Sequence, residues 1–394
     1  MKKTLTQALK GLLAFIIGLL IWLPFAHFCF QGDTAEYYSE DSLAPKAKKL
    51  LNRQKIVWTD PVARQEIETI RKSNPEWDFM WRSYFVFSLS NIALRDPSYK
   101  AEALQLMDSV IDDTISHIEK DGYQYFSMAY FSWNKFNDSK NTRTMFVDGE
   151  VALMLAGRRI VEDSPKYKKR YEEYRDAMLS RMQKDKIFSV ESYPNEYWTY
   201  DHMVFFAALK IGDYIDKTDY SKHARKWLEM AKAKLLHKAT GMFVSGYKDD
   251  AYALHGPEGS TLWLLTHFLR FQDSALAKEQ FLLAKKYLSH SFFNFGYCSE
   301  WPKSFKGYMD IDSGGALSLM DMSPSSSGAS LVACGTFGDT AYRQQLFSSL
   351  KFAGFPSEDK NTLRFSAGNI ICDAVFLYGM VAGADYKLIE KGGK

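Results

Sequence analysis

The chain has 394 residues, 46% of them hydrophobic and 15% aromatic, with a formal net charge of +3. That balance excludes a strongly basic nucleic-acid footprint and an acidic disordered tail, and it leaves enough apolar side chains for a large core. The 28 Phe, 23 Tyr and 9 Trp supply either that core or the wall of a cavity for an apolar or ring-shaped ligand.

The first element is at the N-terminus. Lys2, Lys3 and Lys10 precede Leu12 to Phe30, a run without fixed charge. A basic stretch followed by an apolar one marks a secretory signal or an anchor, and the run is close to the roughly 20 residues that a helix needs to cross the hydrocarbon layer. No small-x-small cleavage site follows, since Phe25, His27 and Phe28 crowd the end, and Cys29 has no lipobox before it. An uncleaved anchor at 1–30 is therefore expected over a removed signal peptide. The positive-inside rule puts the lysines in the cytoplasm and the remainder outside, in the periplasm or beyond. Residues 31–50 are polar and read as a linker, leaving 51–394 as one domain.

Beyond residue 50 a period of 3.6 dominates. Amphipathic segments fall at 62–73, 99–119, 165–185, 221–236 and 274–290. Between them lie segments apolar almost all round, at 81–94, 143–161, 197–215, 256–269, 313–338 and 366–383. Their starts are about 55–65 residues apart, a spacing that suggests stacked helical hairpins. A helix apolar on every side is buried. Six such helices inside amphipathic partners predict an all-α (α/α)6 toroid, with the N-terminal ends of the inner helices opening onto one cavity. An open superhelical array of hairpins is the alternative. Pro324 and Ser325–Ser327 are expected to break the fifth segment. Cys29, Cys298, Cys334 and Cys372 include no CxxC pair, so buried thiols are expected, with at most one disulfide outside the membrane.

Polar and ring-bearing residues gather at the starts of the inner segments. DGE at 148–150 lies within an apolar run, and ESYPNEYWTYDH at 191–202 packs carboxylates among aromatic rings. A carboxyl group at a partly dry, ring-lined wall loses solvation, which raises its pKa and suits it to donate a proton; a wetter partner stays ionised and acts as base. Glu150, Glu191 and Asp201 are the catalytic candidates. Tyr197, Trp198, His202, Trp263, Trp301, Asp310 and Asp312 are candidates for binding substrate. Each also has a structural reading: caps, intrahelical pairs, a satisfied core histidine, ordinary core rings. The eight histidines are scattered, with no HExxH and no i, i+4 pair. No metal and no cofactor is expected, although Asp249, Asp250, Asp310 and Asp312 leave an oxygen-only site open. GxSxG, P-loop and GxGxxG motifs are lacking.

Stretches 83–99, 195–247, 309–320 and 363–383 together resemble the linalool dehydratase/isomerase family, an (α/α)6-barrel family, over about residues 80–380. The resemblance implies cofactor-independent acid/base chemistry on an alcohol, performed in that family by a His and two Cys. In this chain those positions fall on Glu150, Glu191 and Asp201, so proton-transferring groups are kept while their type changes. The resemblance therefore implies dehydration or isomerisation of an alcohol substrate, and it admits a homo-oligomer in which one subunit completes another's site. Three carboxylates in a ring-walled cavity suit a glycan as well, since carboxylate pairs cleave glycosidic bonds; a glycoside hydrolase or lyase is the second expectation. A non-catalytic binding protein on the same fold is the third.

Overall fold

The computed structural model describes residues 2–132, 135–136, 143–307 and 321–392. In chain order the helices are α1 (Lys2–Phe30), α2 (Thr34–Tyr37), α3 (Pro45–Thr59), α4 (Gln65–Ser73), α5 (Pro75–Arg95), α6 (Lys100–Asp121), α7 (Met145–Val161) and α8 (Pro165–Lys184). They continue as α9 (Thr199–Asp216), α10 (Ser221–Lys234), α11 (Gly259–Leu269), α12 (Ser274–Leu288), α13 (Pro324–Phe337), α14 (Thr340–Ala353), α15 (Ile370–Val381) and α16 (Ala384–Gly392).

Helices α5, α7, α9, α11, α13 and α15 pack each on the next, and α15 returns to α5, so they form a closed ring of six. This is the (α/α)6 toroid; an open array would leave α15 and α5 apart. The outer helices α6, α8, α10, α12 and α14 each pack on the inner helix that precedes them, and α3 covers α15. The outer helix of the last hairpin thus precedes the first inner helix in the chain. α15 and α5 are joined by backbone capping: Asn91 Oδ1 accepts from the backbone N–H groups of Gly383, Ala384 and Asp385 at 2.9, 2.8 and 3.3 Å. Arg95 Nη2 donates to the Val381 carbonyl at 2.7 Å.

The inner helices form where the sequence is apolar on all faces because each is enclosed by two inner neighbours and at least one outer helix. Small residues set how closely they approach. A Cβ added at Gly149 on α7 would lie 3.2 Å from the Asp201 carbonyl oxygen, and one at Gly379 on α15 would lie 3.4 Å from the Val332 nitrogen. Four of the six start with side-chain caps: Asn74 accepts from Glu76 N–H, Thr144 from Val147 N–H, Ser323 from Ser326 N–H and Asn369 from Cys372 N–H. Such caps satisfy backbone donors that the helix itself cannot.

Three antiparallel two-stranded ribbons decorate the loops: β1 (Tyr197–Trp198) with β2 (Gly246–Tyr247), β3 (Ser289–Phe292) with β4 (Phe295–Cys298), and β5 (Pro356–Glu358) with β6 (Leu363–Phe365). Two local expectations need correction. Pro324 begins α13 instead of breaking it, because a proline at the first helical position gives up only an N–H that has no intrahelical partner. The segment 31–50 is not all linker, since Tyr37 stacks on Phe347 at 4.5 Å and Leu50 is fully buried.

Helix α1 meets the barrel at its C-terminal end, where it packs on α14. Among the described residues it is the one helix long and apolar enough to cross a membrane, with mean hydropathy 2.3 over its most apolar window. The four cysteines are free thiols, and Cys298 and Cys334 are buried.

Candidate active site

The inner helices α5, α9 and α11 present their N-terminal turns to a cavity of about 150 Å³. Its wall is made of Glu76, Trp77 and Met80 from α5, Tyr130, Phe146 and Tyr193, Trp198, Tyr200 and Asp201 at the head of α9, and Glu258, Ser260, Thr261 and Leu264 at the head of α11. Three carboxylates therefore come from three helix N-termini. That position favours negative charge, since the free N–H groups of the first turn carry partial positive charge.

Asp201 is 5% exposed. Burial pushes its carboxyl up to about 8, the nearby Glu150 charge adds to the rise, and the Ser192 hydroxyl opposes it. At neutral pH it is mainly protonated and able to donate. Glu150 lies behind the wall on α7, at 0% exposure. Its Oε1 accepts from the Tyr200 hydroxyl at 2.9 Å, and its Oε2 is buried with no hydrogen-bond partner among the described residues. Tyr200, with its one proton given to Glu150, takes the Tyr84 hydroxyl as donor at 2.9 Å. Burial raises Glu150 to about 7, the Tyr200 hydrogen bond compensating only in part.

The other walls are fixed from behind. Tyr193 donates its hydroxyl proton to Glu76 and accepts from the Met128 N–H at 2.9 Å. Its ring lies 4.7 Å from Tyr130. Trp198 stacks on His255 at 4.9 Å, and His255 Nδ1 sits 3.8 Å from Glu258 Oε1. Glu300 ties α11 to α13: its Oε1 accepts from the Ser260 N–H at 2.9 Å and the Ser260 hydroxyl at 2.5 Å, while its Oε2 accepts from the Ser323 hydroxyl at 2.5 Å.

The sequence candidates separate in space. Asp201 and Trp198 line the cavity, and Glu150 reaches it through Tyr200. Glu191, 3% exposed, lines a different hollow with Arg181, Asp185, Tyr197 and Asp249. Its Oε1 accepts from the Asn195 N–H at 2.9 Å, and its Oε2 is 3.9 Å from Arg181 Nη2. Tyr197 goes with it, stacked on Tyr247 at 5.4 Å. His202 is a core residue: its Nδ1 bonds the Trp198 carbonyl at 2.7 Å, so the proton is there, and Nε2 accepts from the Val190 N–H at 3.1 Å. Burial lowers its pKa to about 4, so it is neutral. Trp263 is buried with Nε1 donating to Ser326 Oγ at 3.1 Å. Trp301 is buried and outside the cavity lining. Asp310 and Asp312 lie outside the described residues.

Glu76, Trp77, Tyr130, Glu258, Ser260 and Thr261 were not singled out in the sequence. Glu76 and Glu258 each stand at a helix start beside a proline, in Asn74-Pro75-Glu76 and Gly256-Pro257-Glu258. A first-turn carboxylate is ordinarily a dipole partner, so only the convergence of several such starts marks these two. Among the described residues no group of three or more His, Cys, Asp or Glu side chains is placed to hold a metal ion.

No protein-family model matches the sequence, and no curated protein matches it. Several solved structures are similar in fold. A GH76 α-mannanase of Bacteroides thetaiotaomicron aligns at TM-score 0.49 and 12% identity, over 79% of this chain and 87% of its own. An unsaturated glucuronyl hydrolase of Bacillus sp. GL1 aligns at TM-score 0.47 and 10% identity, over 76% and 85%. A polysaccharide lyase aligns at TM-score 0.46 and 10% identity, over 87% and 97%. Likenesses this distant decide nothing about chemistry. The molecule's own geometry defines a class: an (α/α)6 toroid with a carboxylate-bearing, ring-walled cavity at the N-terminal end of its inner helices.

Proposed function

We propose that the chain is a carbohydrate-active acid/base enzyme that hydrolyses a glycosidic bond in a neutral glycan, with Asp201 as proton donor. One observation carries this reading. A buried carboxyl group held mainly neutral at pH 7 shares a cavity wall with two further carboxylates, hydroxyl groups and aromatic rings, and with no Lys, Arg or His among the described lining residues. The ring faces of Trp77, Tyr130 and Trp198 suit the apolar faces of a pyranose, and Ser260 and Thr261 suit its hydroxyl groups.

In this reading Asp201 gives its proton to the glycosidic oxygen as the bond to the anomeric carbon breaks. A water adds to that carbon and passes its proton to Glu258. Glu258 takes the role of base in this reading; it stands at the N-cap of α11, where the helix favours an anion, as the first turn of α5 does for Glu76. Glu76 is committed to the Tyr193 hydroxyl. A uronate substrate would bring a further negative charge to a wall that already carries Glu76 and Glu258 and, among the described residues, no cation, which disfavours a uronate lyase or hydrolase.

The dehydration reading uses the same Asp201 proton, delivered to a hydroxyl group, and the apolar side chains of Met80, Phe146 and Leu264 on the cavity wall favour it. Glu191, a candidate group in both readings, lines another hollow and serves neither. The deciding experiment incubates the full-length protein with neutral oligosaccharides, uronate-containing oligosaccharides and allylic terpene alcohols. Release of reducing ends from a neutral glycan, lost in Asp201→Asn, is expected. Turnover of the alcohol alone or of uronates alone, or turnover unaffected by Asp201→Asn, overturns the proposal.

A further inference from the structure

We propose that an aromatic rim at the cavity-bearing end of the barrel lies in the headgroup layer of the bilayer that α1 crosses. This inference depends on α1 being retained and not on which reaction the cavity performs. The occupant of the rim is the lipid surface.

The level of the membrane follows from α1 itself. Lys2, Lys3 and Lys10 lie at its start, and the residues from Gly11 to Phe30 rise about 30 Å, the thickness of the hydrocarbon layer. Phe30 therefore falls at the outer boundary. There the folded body meets the helix. The Phe30 ring lies 5.0 Å from Phe352 and the His27 ring 5.4 Å from Phe295, while Phe295 and Phe352 are 5.1 Å apart. Lys351 Nζ reaches the Gln31 carbonyl at 3.4 Å.

Around this joint the body exposes phenylalanines that its own core leaves out. Phe292 is 44% exposed, Phe352 43% and Phe355 67%. Phe292 is paired with Phe295 across β3 and β4, which puts it beside the His27 contact. Phe355 stands three residues beyond Phe352, with φ of 48°, a left-handed backbone that a bulky residue adopts at a cost. Rings exposed to water lose the benefit of burial. In the headgroup layer, continuous with the exposed Trp22, Phe25 and Phe28 of α1, they regain it. The rim belongs to the cavity end because the chain running on from Phe295 reaches Glu300, which bonds the cavity residue Ser260.

The test uses the full chain with Cys29→Ser, reconstituted in phosphatidylcholine vesicles. A nitroxide label is attached in turn at Phe292→Cys, Phe355→Cys and, as reference, Leu282→Cys on the outer surface of α12, with intact mass and circular dichroism recorded for each. All three sites are exposed, so folding is not at stake. The expected result is a ratio of oxygen to nickel-chelate collisions several-fold higher at 292 and 355 than at 282. Water-like ratios at all three sites overturn the proposal. So does protection that comes with spin–spin broadening and vanishes on dilution with unlabelled protein, which assigns the rim to a second copy. An intact mass showing α1 removed from the protein made in cells overturns it as well.

Discussion

The Tyr200 hydroxyl donates to Glu150 Oε1 at 2.9 Å, and Asp201, the next residue, faces the cavity. Both residues line the cavity, and Tyr200 also reaches back to Glu150, so the pair couples a wholly buried carboxyl to one on the cavity wall. Glu150→Gln removes the charge that helps to raise Asp201. The alkaline limb of the pH–rate profile should then move to lower pH, with a loss of turnover smaller than that of Asp201→Asn. Steady-state kinetics across pH 5–9 on the substrate found by screening checks this; an unmoved limb separates Glu150 from the site.

Asp201→Asn should lower kcat by about 100- to 10,000-fold, the usual contribution of a positioned general acid, while leaving binding nearly intact. It should also stabilise the protein at alkaline pH. The folded-state pKa of Asp201 is raised to about 8, above its value in the unfolded chain. Between the two values the folded state binds more protons, so stability falls as pH rises and is lowest above pH 8. Asn mimics the neutral acid and escapes that penalty. Thermal melts at pH 6 and pH 9 should show the variant gaining on the parent at the higher pH.

Glu191→Ala should leave kcat unchanged and lower stability by about 1 kcal/mol, the net contribution of one intramolecular hydrogen bond whose donor can turn to water. The donor is the Asn195 N–H, in a loop where Asn195 holds a φ of 65°. Urea unfolding gives the stability and the same turnover assay gives kcat. A loss of turnover at unchanged stability would return Glu191 to the chemistry.

Gly212→Ala should destabilise by about 1–3 kcal/mol through overpacking. A Cβ there would stand 2.1 Å from the Tyr171 hydroxyl, which donates to the Ala208 carbonyl at 3.1 Å and fastens α8 to α9. The fraction that remains folded should turn over normally, as judged by kcat per folded molecule.

Much of the architecture is legible in the residues themselves. A stretch such as 143–161, apolar on every face, has nowhere to go but the interior, and it forms the inner helix Met145–Val161. The site is less legible, for a reason visible at β1. Successive strand residues point to opposite sides, so Tyr197 turns to the hollow that holds Glu191 while Trp198 turns to the cavity that holds Asp201. Proximity in sequence cannot divide the cluster 191–202 between two hollows; a two-residue ribbon does so. Glu76 and Glu258 are hidden differently, since each resembles an ordinary first-turn carboxylate until ring closure brings three helix heads together. The start of the body is obscured because 34–50 is polar in composition and yet docks a few rings and leucines.

The cap that Asn91 places on Gly383 joins positions 292 residues apart in sequence. During synthesis every inner helix would emerge before the contacts between α15 and α5 that complete the circle. Until then α5 would offer an uncovered apolar flank to solvent, and such late-closing topologies fold slowly and aggregate readily. The nascent chain should therefore depend on a holding chaperone. Truncation at the C-terminal hairpin should leave not a smaller barrel but an open crescent with two adhesive ends.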